Sequence, residues 1–261
     1  MAPSRIVFLM YHELELPGRA LVQSEPGYVR YILPADTFRS HLQWMKDSRF
    51  RGLSVSEALL YPTTPSVCIT FDDGCETDLI TAAPLLQEFG FQATFYLTTG
   101  FLGSPGYLTP DQVRQLDSLG FEIGCHSMTH PYLSDLSDAE LGREIFDAKL
   151  QLEEIVGHAI AHFSCPGGRY DGRTLETARR AGFRSVATSR FHANSASTSA
   201  YELGRVAMLR DLSLEGLSAT CQGRGLWKKQ LQDQTRQSVR RVFGNSVYDK
   251  LRAAVLGDGR E

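Results

Sequence analysis

Apolar residues along this chain gather into short unbroken runs. The runs cover positions 5–11, 65–71, 91–97, 121–125, 159–165 and 184–188. Each is too short for a helix and suits a strand buried on both faces, as in parallel sheets. Between them the spacing changes to a helical period. Phe38, Leu42 and Met45 recur at i, i+4 and i+7 behind Asp36, the expected N-cap. Thr109-Pro110-Asp111-Gln112 joins a capping threonine, a proline at the first helical position and a reciprocal glutamine, and Gly120 is placed to close that helix. Ser137-Asp138-Ala139-Glu140 makes a second capping box, opening a long helix that Gly157 ends. Repeated strand-then-helix order predicts a parallel sheet of the α/β class. A closed or nearly closed (β/α) barrel is the expected form, because the residues able to do chemistry sit where these strands end.

Composition narrows the class. With 261 residues, 42% hydrophobic and 22% charged, the chain is neither disordered, collagen-like nor coiled coil, and its length suits one barrel. A net charge of −3 offers nucleic acid no general attraction. Cys68, Cys75, Cys125, Cys165 and Cys221 are scattered without a C-x-x-C, which argues against a cysteine-rich zinc site or a disulfide framework. The first apolar run is too short for a signal-peptide core, and no run approaches the ~20 residues of a membrane span, so a reducing, cytoplasmic setting is expected. The end of the chain differs. Residues 222–261 hold nine Lys/Arg against four Asp/Glu, with Leu231, Val239, Val242, Phe243 and Leu251 suggesting an amphipathic helix. The expected organisation is a single barrel domain over 1–221 and a basic helical tail over 222–261. That tail reads as packed on or beside the barrel with a solvated basic face, or as a peripheral contact for an anionic membrane surface.

Asp72 and Asp73 close the run 65–71 and precede Gly74. Adjacent carboxylates at the end of a buried strand are costly to ionise unless a cation or hydrogen bonds compensate. Neighbours along a strand point opposite ways, so the pair can serve two tasks if the chain breaks at Gly74. His126 and His130 follow the run 121–125. Four residues apart, they are expected on one face of a helical turn, a spacing that divalent metals use. No glutamate follows His126, so any general base must come from elsewhere. Two neutral imidazoles and one carboxylate make a catalytic zinc-type ligand set that leaves positions open for water. With Asp73 as third ligand, Asp72 is free to act as base. Ser164-Cys165-Pro166-Gly167-Gly168, at a third strand end, is a turn whose glycines let backbone N–H groups approach an oxyanion. Tyr11-His12 ends the first run at the same edge.

In that order these segments resemble the first three motifs of the polysaccharide deacetylase family, the NodB-homology carbohydrate esterases, over roughly residues 4–210. The resemblance implies a distorted (β/α) barrel, one divalent metal ion (Zn2+ first, Co2+, Ni2+ or Mn2+ as alternatives) and hydrolysis of N-acetyl groups on sugars. By position, Asp72 resembles the catalytic base, and Asp73, His126 and His130 the metal ligands. Gly167 stands where a backbone N–H helps hold the oxyanion. Two features depart from the pattern. Ser164 occupies the place of a motif arginine that orients the base, and the late Leu-x-His motif, whose histidine is the general acid, is absent. Arg205, in Leu203-Gly204-Arg205-Val206, resembles the Pro-Arg segment of the biofilm poly-N-acetylglucosamine deacetylases and is the expected substitute. In that branch the histidine motif is permuted to the front as a Tyr-His pair. Tyr11-His12 resembles it, which implies His12 as general acid, with Tyr11 on the substrate side and His192 as the alternative acid. His41, His158 and His162 are read as structural or surface residues, and Cys75 and Cys125 as small packed hydrophobes.

The expected activity is therefore metal-dependent deacetylation of amino sugars in a polysaccharide or its lipid-linked oligosaccharide precursor, with no nucleic-acid partner. Two rival readings are a sugar-binding protein on a decayed site and a hydrolase of a non-sugar amide. Residues 14–34 and the tail carry no motif that places them in or out of the substrate groove.

Overall fold

A computed structural model describes residues 5–60 and 65–226. Ten strands follow in chain order: β1 (Val7–Tyr11), β2 (Leu14–Glu15), β3 (Leu33–Pro34), β4 (Arg51–Leu53), β5 (Ser66–Asp73), β6 (Thr94–Leu97), β7 (Glu122–Cys125), β8 (His162–Ser164), β9 (Ser185–Ala187) and β10 (Val206–Ala207). Eight of them form one parallel sheet in the order β10-β1-β5-β6-β7-β8-β9, with β4 beside the first half of β5. The sheet curls until its ends meet. Leu203, three residues before β10, donates to Val186 at 3.0 Å and accepts from Thr188 at 2.8 Å, joining the β9 side back to β1. The expected distorted (β/α) barrel is what the chain builds. All six apolar runs appear as strands, whereas β2, β3, β4 and β10 are too short to show a period.

Alternation along the strands sorts side chains between two cores. Val7, Leu9 and Tyr11 of β1, with Val67, Ile69 and Phe71 of β5, belong to the larger core under the surrounding helices. Ile6, Phe8, Cys68, Tyr96, Ala187 and Leu203 form a smaller cluster inside the barrel. Gly124 on β7 is required there, since a Cβ would lie 2.4 Å from the ring of Tyr96.

The helices follow their end signals with one correction. Thr109 and Ser137 form complete capping boxes, and Gly120 and Gly157 take left-handed conformations past the ends of their helices. Asp36 is not an N-cap: helix Ala35–Asp47 starts after Pro34, and Asp36 lies in its first turn, where a carboxylate still meets the positive end of the helix. The long helix after Ser137 contains a π-helical turn, Arg143–Asp147. Beyond Leu226 the expected basic tail lies outside the described residues.

Glu122 ties the opposite end of the barrel together. Its Oε2 accepts from Thr94 Oγ1 and from the amides of Val55 (3.0 Å) and Ser56 (3.2 Å), which open helix Val55–Leu60. Its Oε1 lies 3.4 Å from Nε2 of His162, and His162 Nδ1 meets Ser185 Oγ at 2.8 Å. Burial pushes the Glu122 carboxyl up, but these partners, His162 first, outweigh it and hold the group below its ordinary value. A depressed folded pKa contributes stability above the unfolded value near ~4.3, which is lost as pH falls through the folded value. Glu122→Ala is expected to cost about 3 kcal/mol at pH 7, because several donors lose an ionised acceptor. Urea unfolding at pH 7 and pH 4 checks this: the variant's deficit should shrink at the lower pH, and a deficit under about 1 kcal/mol at pH 7 would contradict it.

Candidate active site

At the other end, Asp72 is the last residue of β5 on the inner face, and the break comes immediately after it. Asp73 itself adopts a left-handed conformation (φ 83°), as does Gly74 (φ 83°), so the chain turns out of the strand at the second carboxylate. A non-glycine residue held there is strained by roughly 1–3 kcal/mol. That turn separates the two acids into different environments.

Asp72 is gripped by Arg205, which is fully buried. Nη1 donates to Oδ1 at 2.7 Å and Nη2 to Oδ2 at 2.8 Å. The rest of the guanidinium is also satisfied: Nε donates to the Thr188 carbonyl (3.1 Å), Nη1 to Thr70 Oγ1 (3.3 Å) and Nη2 to Ser164 Oγ (2.7 Å). Burial pushes the Asp72 carboxyl up, but the facing guanidinium and then the nearby His126 outweigh it, leaving Asp72 ionised well below the usual carboxylate range. Arg205 thus makes the fork on Asp72 while Ser164, at the motif-arginine position, accepts from the same guanidinium.

Asp73, His126 and His130 converge. Asp73 Oδ1 lies 3.6 Å from His126 Nε2 and 3.4 Å from His130 Nε2. The three ligand atoms all lie within 4.8 Å of one another. The expected helical turn for the histidines is not what brings them together. Residues 126–130 form a loop, with Ser127 at φ 67° and His130 at φ 62°. The loop is pinned from outside by Glu144, in the π-helical turn, whose carboxylate accepts from the amides of Met128 (2.9 Å) and Thr129 (2.8 Å) and from Thr129 Oγ1 (2.6 Å).

Two observations show that these groups suit a divalent cation. Asp73 Oδ1 is buried and has no hydrogen-bond partner, an arrangement that costs free energy unless something electropositive meets it. His126 Nδ1 lies 2.8 Å from the Ser164 carbonyl oxygen, a contact that places the proton on Nδ1 and leaves the Nε2 lone pair toward Asp73. Burial lowers the His126 pKa to about 4 despite the pull of Asp72 and Asp73, so the ring is neutral at pH 7. Cys75 and Cys125 are buried and stand outside this cluster.

The remaining expected residues divide. His12 follows β1 on the side that faces the barrel interior, where Asp73 and Asp72 pull against the burial that lowers its pKa. Its Nδ1 is buried without a partner, and the ring of Tyr31 packs 5.2 Å from its own. Tyr11 is a correction. As the strand neighbour of His12 it points the opposite way, into the outer core, stacked 5.3 Å from Phe71, with its hydroxyl 3.2 Å from His41 Nδ1. It is fully buried and offers a substrate nothing. His192 is a second correction: it lines a cavity of about 660 Å³ with Arg5, Val7 and Ser66, at the beginnings of β1 and β5. Asp72 lies some ~20 Å further along β5. Gly167 sits in an exposed turn at φ 57°, where a Cβ would come within 2.9 Å of the Tyr132 ring. His41 and His162 are structural, as expected.

Sequence reasoning missed Tyr28, whose hydroxyl donates to Asp73 Oδ2 at 3.2 Å, and Glu144. Neither belongs to a motif with metal-ligand spacing. The only available signal for Glu144 was a carboxylate one helical turn beyond a capping box.

Residues 61–186 match the family model for polysaccharide deacetylase. YxkH of Bacillus subtilis is 28% identical over 217 residues, taking in 81% of this chain and 74% of that one. The peptidoglycan-N-acetylglucosamine deacetylase of Bacillus cereus is 35% identical over 121 residues, 46% of this chain, and the match spans 54% of that protein. Among solved structures, the Streptococcus pyogenes deacetylase PplD in complex with acetate superimposes with a TM-score of 0.74 at 28% identity, covering 84% of this chain and 99% of that one. IcaB from Ammonifex degensii shares the fold, with a TM-score of 0.69 at 21% identity over 84% of this chain and 96% of its own.

Proposed function

We propose that this chain, whose residues 61–186 match the polysaccharide deacetylase family model, is a metal-dependent hydrolase removing N-acetyl groups from amino sugars of a polysaccharide or its lipid-linked precursor. The observation that carries the reading is the division of labour between the two aspartates. One is held ionised by Arg205, and the other is turned toward two imidazoles with a buried oxygen unmet.

In this reading Asp73, His126 and His130 hold the cation, with Zn2+ the best match to the donor set and Co2+, Ni2+ or Mn2+ as alternatives. When bound, it polarises the acyl oxygen and lowers the pKa of water toward ~7. Asp72 receives the proton of the attacking water, for which a carboxylate must stay ionised at the reacting centre. Arg205 and Ser164 fix its two oxygens. The Gly167 turn supplies a backbone N–H to the developing oxyanion. As the C–N bond breaks, His12 gives a proton to the departing amine, and burial makes its imidazolium a stronger acid for that transfer. The products are acetate and the free amino sugar.

The rival reading, a sugar-binding protein on a decayed site, draws on the missing motif arginine and the missing late histidine. The Arg205 fork on Asp72 answers the first, and His12 is the proposed answer to the second. The free, buried state of all five cysteines supports a reducing, cytoplasmic setting. No helix among the described residues is long and apolar enough to cross a membrane. The purified chain is expected to release acetate from N-acetylated chito-oligomers or a related glycan, to stop when treated with chelator, and to recover on adding Zn2+ or Co2+. Acetate release that persists after complete metal removal would overturn the mechanism.

A further inference from the structure

Residues 14–34 form a segment laid against the site from outside the stretch that matches the family model. Its ends are held together by pairing of β2 with β3. Between them it is tied down at several points. The Val22 amide donates to the Glu13 carboxylate at 3.1 Å, and Arg19 Nη1 reaches Glu76 at 2.6 Å. Arg210 donates its amide to the Arg30 carbonyl (2.9 Å) and Nη1 to the Ile32 carbonyl (3.2 Å). These ties hold the hydroxyl of Tyr28, which stands on the short turn Pro26–Val29, against the site.

That hydroxyl chooses between the two oxygens of Asp73. It donates to Oδ2 at 3.2 Å, whereas Oδ1, the oxygen nearest both imidazoles, is buried and unpartnered. A carboxylate ligand with both oxygens free can take up two coordination positions, and a hydrolytic site needs those positions for water and the acyl oxygen. From this geometry we infer that Tyr28 is a positioning residue for the reaction: by occupying Oδ2 it restricts Asp73 to one-oxygen binding and keeps a coordination position open. The inference rests on the reading of Asp73 as a metal ligand. Its chemistry is that of an outer hydrogen bond to a ligating group, whose loss typically costs 10–100-fold in affinity or activity. Cys75 Sγ, 3.9 Å from the hydroxyl, lies within hydrogen-bond range for sulfur and can donate its thiol proton to the phenol oxygen while the phenol proton goes to Asp73.

Tyr28→Phe removes the hydroxyl and keeps the ring, so the segment retains its packing. The test uses the full chain, stripped of metal and titrated with Co2+. Visible d–d absorption reports coordination number, and acetate release gives kcat and KM. Asp73→Asn is run in parallel. Expected for Tyr28→Phe are an apo melting temperature close to wild type, Co2+ binding weakened about 10-fold or more, a weaker d–d band from higher coordination number, and a kcat at least about tenfold lower with KM little changed. If Asp73→Asn loses Co2+ but Tyr28→Phe keeps wild-type spectrum and affinity, the role of Tyr28 is refuted and the metal reading stands. If wild type and Asp73→Asn take up Co2+ alike, both the metal reading and the role of Tyr28 fall.

Discussion

Asp72→Asn is expected to lower kcat for acetate release by about 10³-fold while the protein still binds its cation, because general-base catalysis contributes about 10²–10⁴-fold. Asparagine keeps the shape of the side chain and most of its packing inside the barrel. It cannot take the proton of an attacking water. Asp73, His126 and His130 are untouched, so Co2+ or Zn2+ content after dialysis should match the wild type. The substitution also leaves the fully buried Arg205 facing a neutral partner, and a lower melting temperature should accompany the loss of rate. The guanidinium keeps its bonds to Thr188, Thr70 and Ser164, which limits that loss. Steady-state assays with metal analysis on the same sample decide the matter. Turnover within tenfold of wild type would mean that another group serves as base.

The second large effect is expected at Arg205, where stability and rate fall together. Arg205→Met removes the partner of a buried carboxylate, a change that commonly costs about 3–5 kcal/mol because the remaining charge is left uncompensated. Five donor contacts go with it, to Thr70, Asp72, Ser164 and Thr188. Arg205→Lys is the informative companion. Lysine restores the charge, but a single ammonium cannot reproduce two parallel bonds to one carboxylate. It should recover part of the melting temperature and leave kcat about 10- to 100-fold down with KM nearly unchanged, the pattern of a misplaced base rather than weakened binding. If Arg205→Lys is as active as wild type, charge alone is what Asp72 requires, and the fork is incidental.

Much of this site could be read along the chain. The six apolar runs, the two capping boxes and the order of Asp-Asp, His-x-x-x-His and Pro-Gly-Gly all depend on local physics: strand burial, backbone donors at helix starts, and residues placed at strand ends. Arg205 was also within reach, though only through a resemblance. What failed did so for identifiable reasons. The two histidines were expected on a helical turn because four-residue spacing suits one. The chain instead uses two left-handed residues and an outside carboxylate, Glu144, to reach the same convergence. The sequence presents Tyr11 and His12 as a pair, but adjacent strand positions face opposite ways and only one of them enters the barrel.

The amino-acid order by itself determined the barrel class, the strand ends that carry chemistry and the identity of the four groups that meet there, because each depends on periodicity or spacing within a short stretch. Tertiary structure alone decided which distant side chain holds which. Closure of the barrel through Leu203 is what carries Arg205 to a carboxylate 133 positions away, and the pinned segment 14–34 is what brings Tyr28 to Asp73. No local preference encodes either contact. Both exist because burying the sheet on two faces leaves the chain one way to close, and a buried charge must then find its partner wherever the fold has put it.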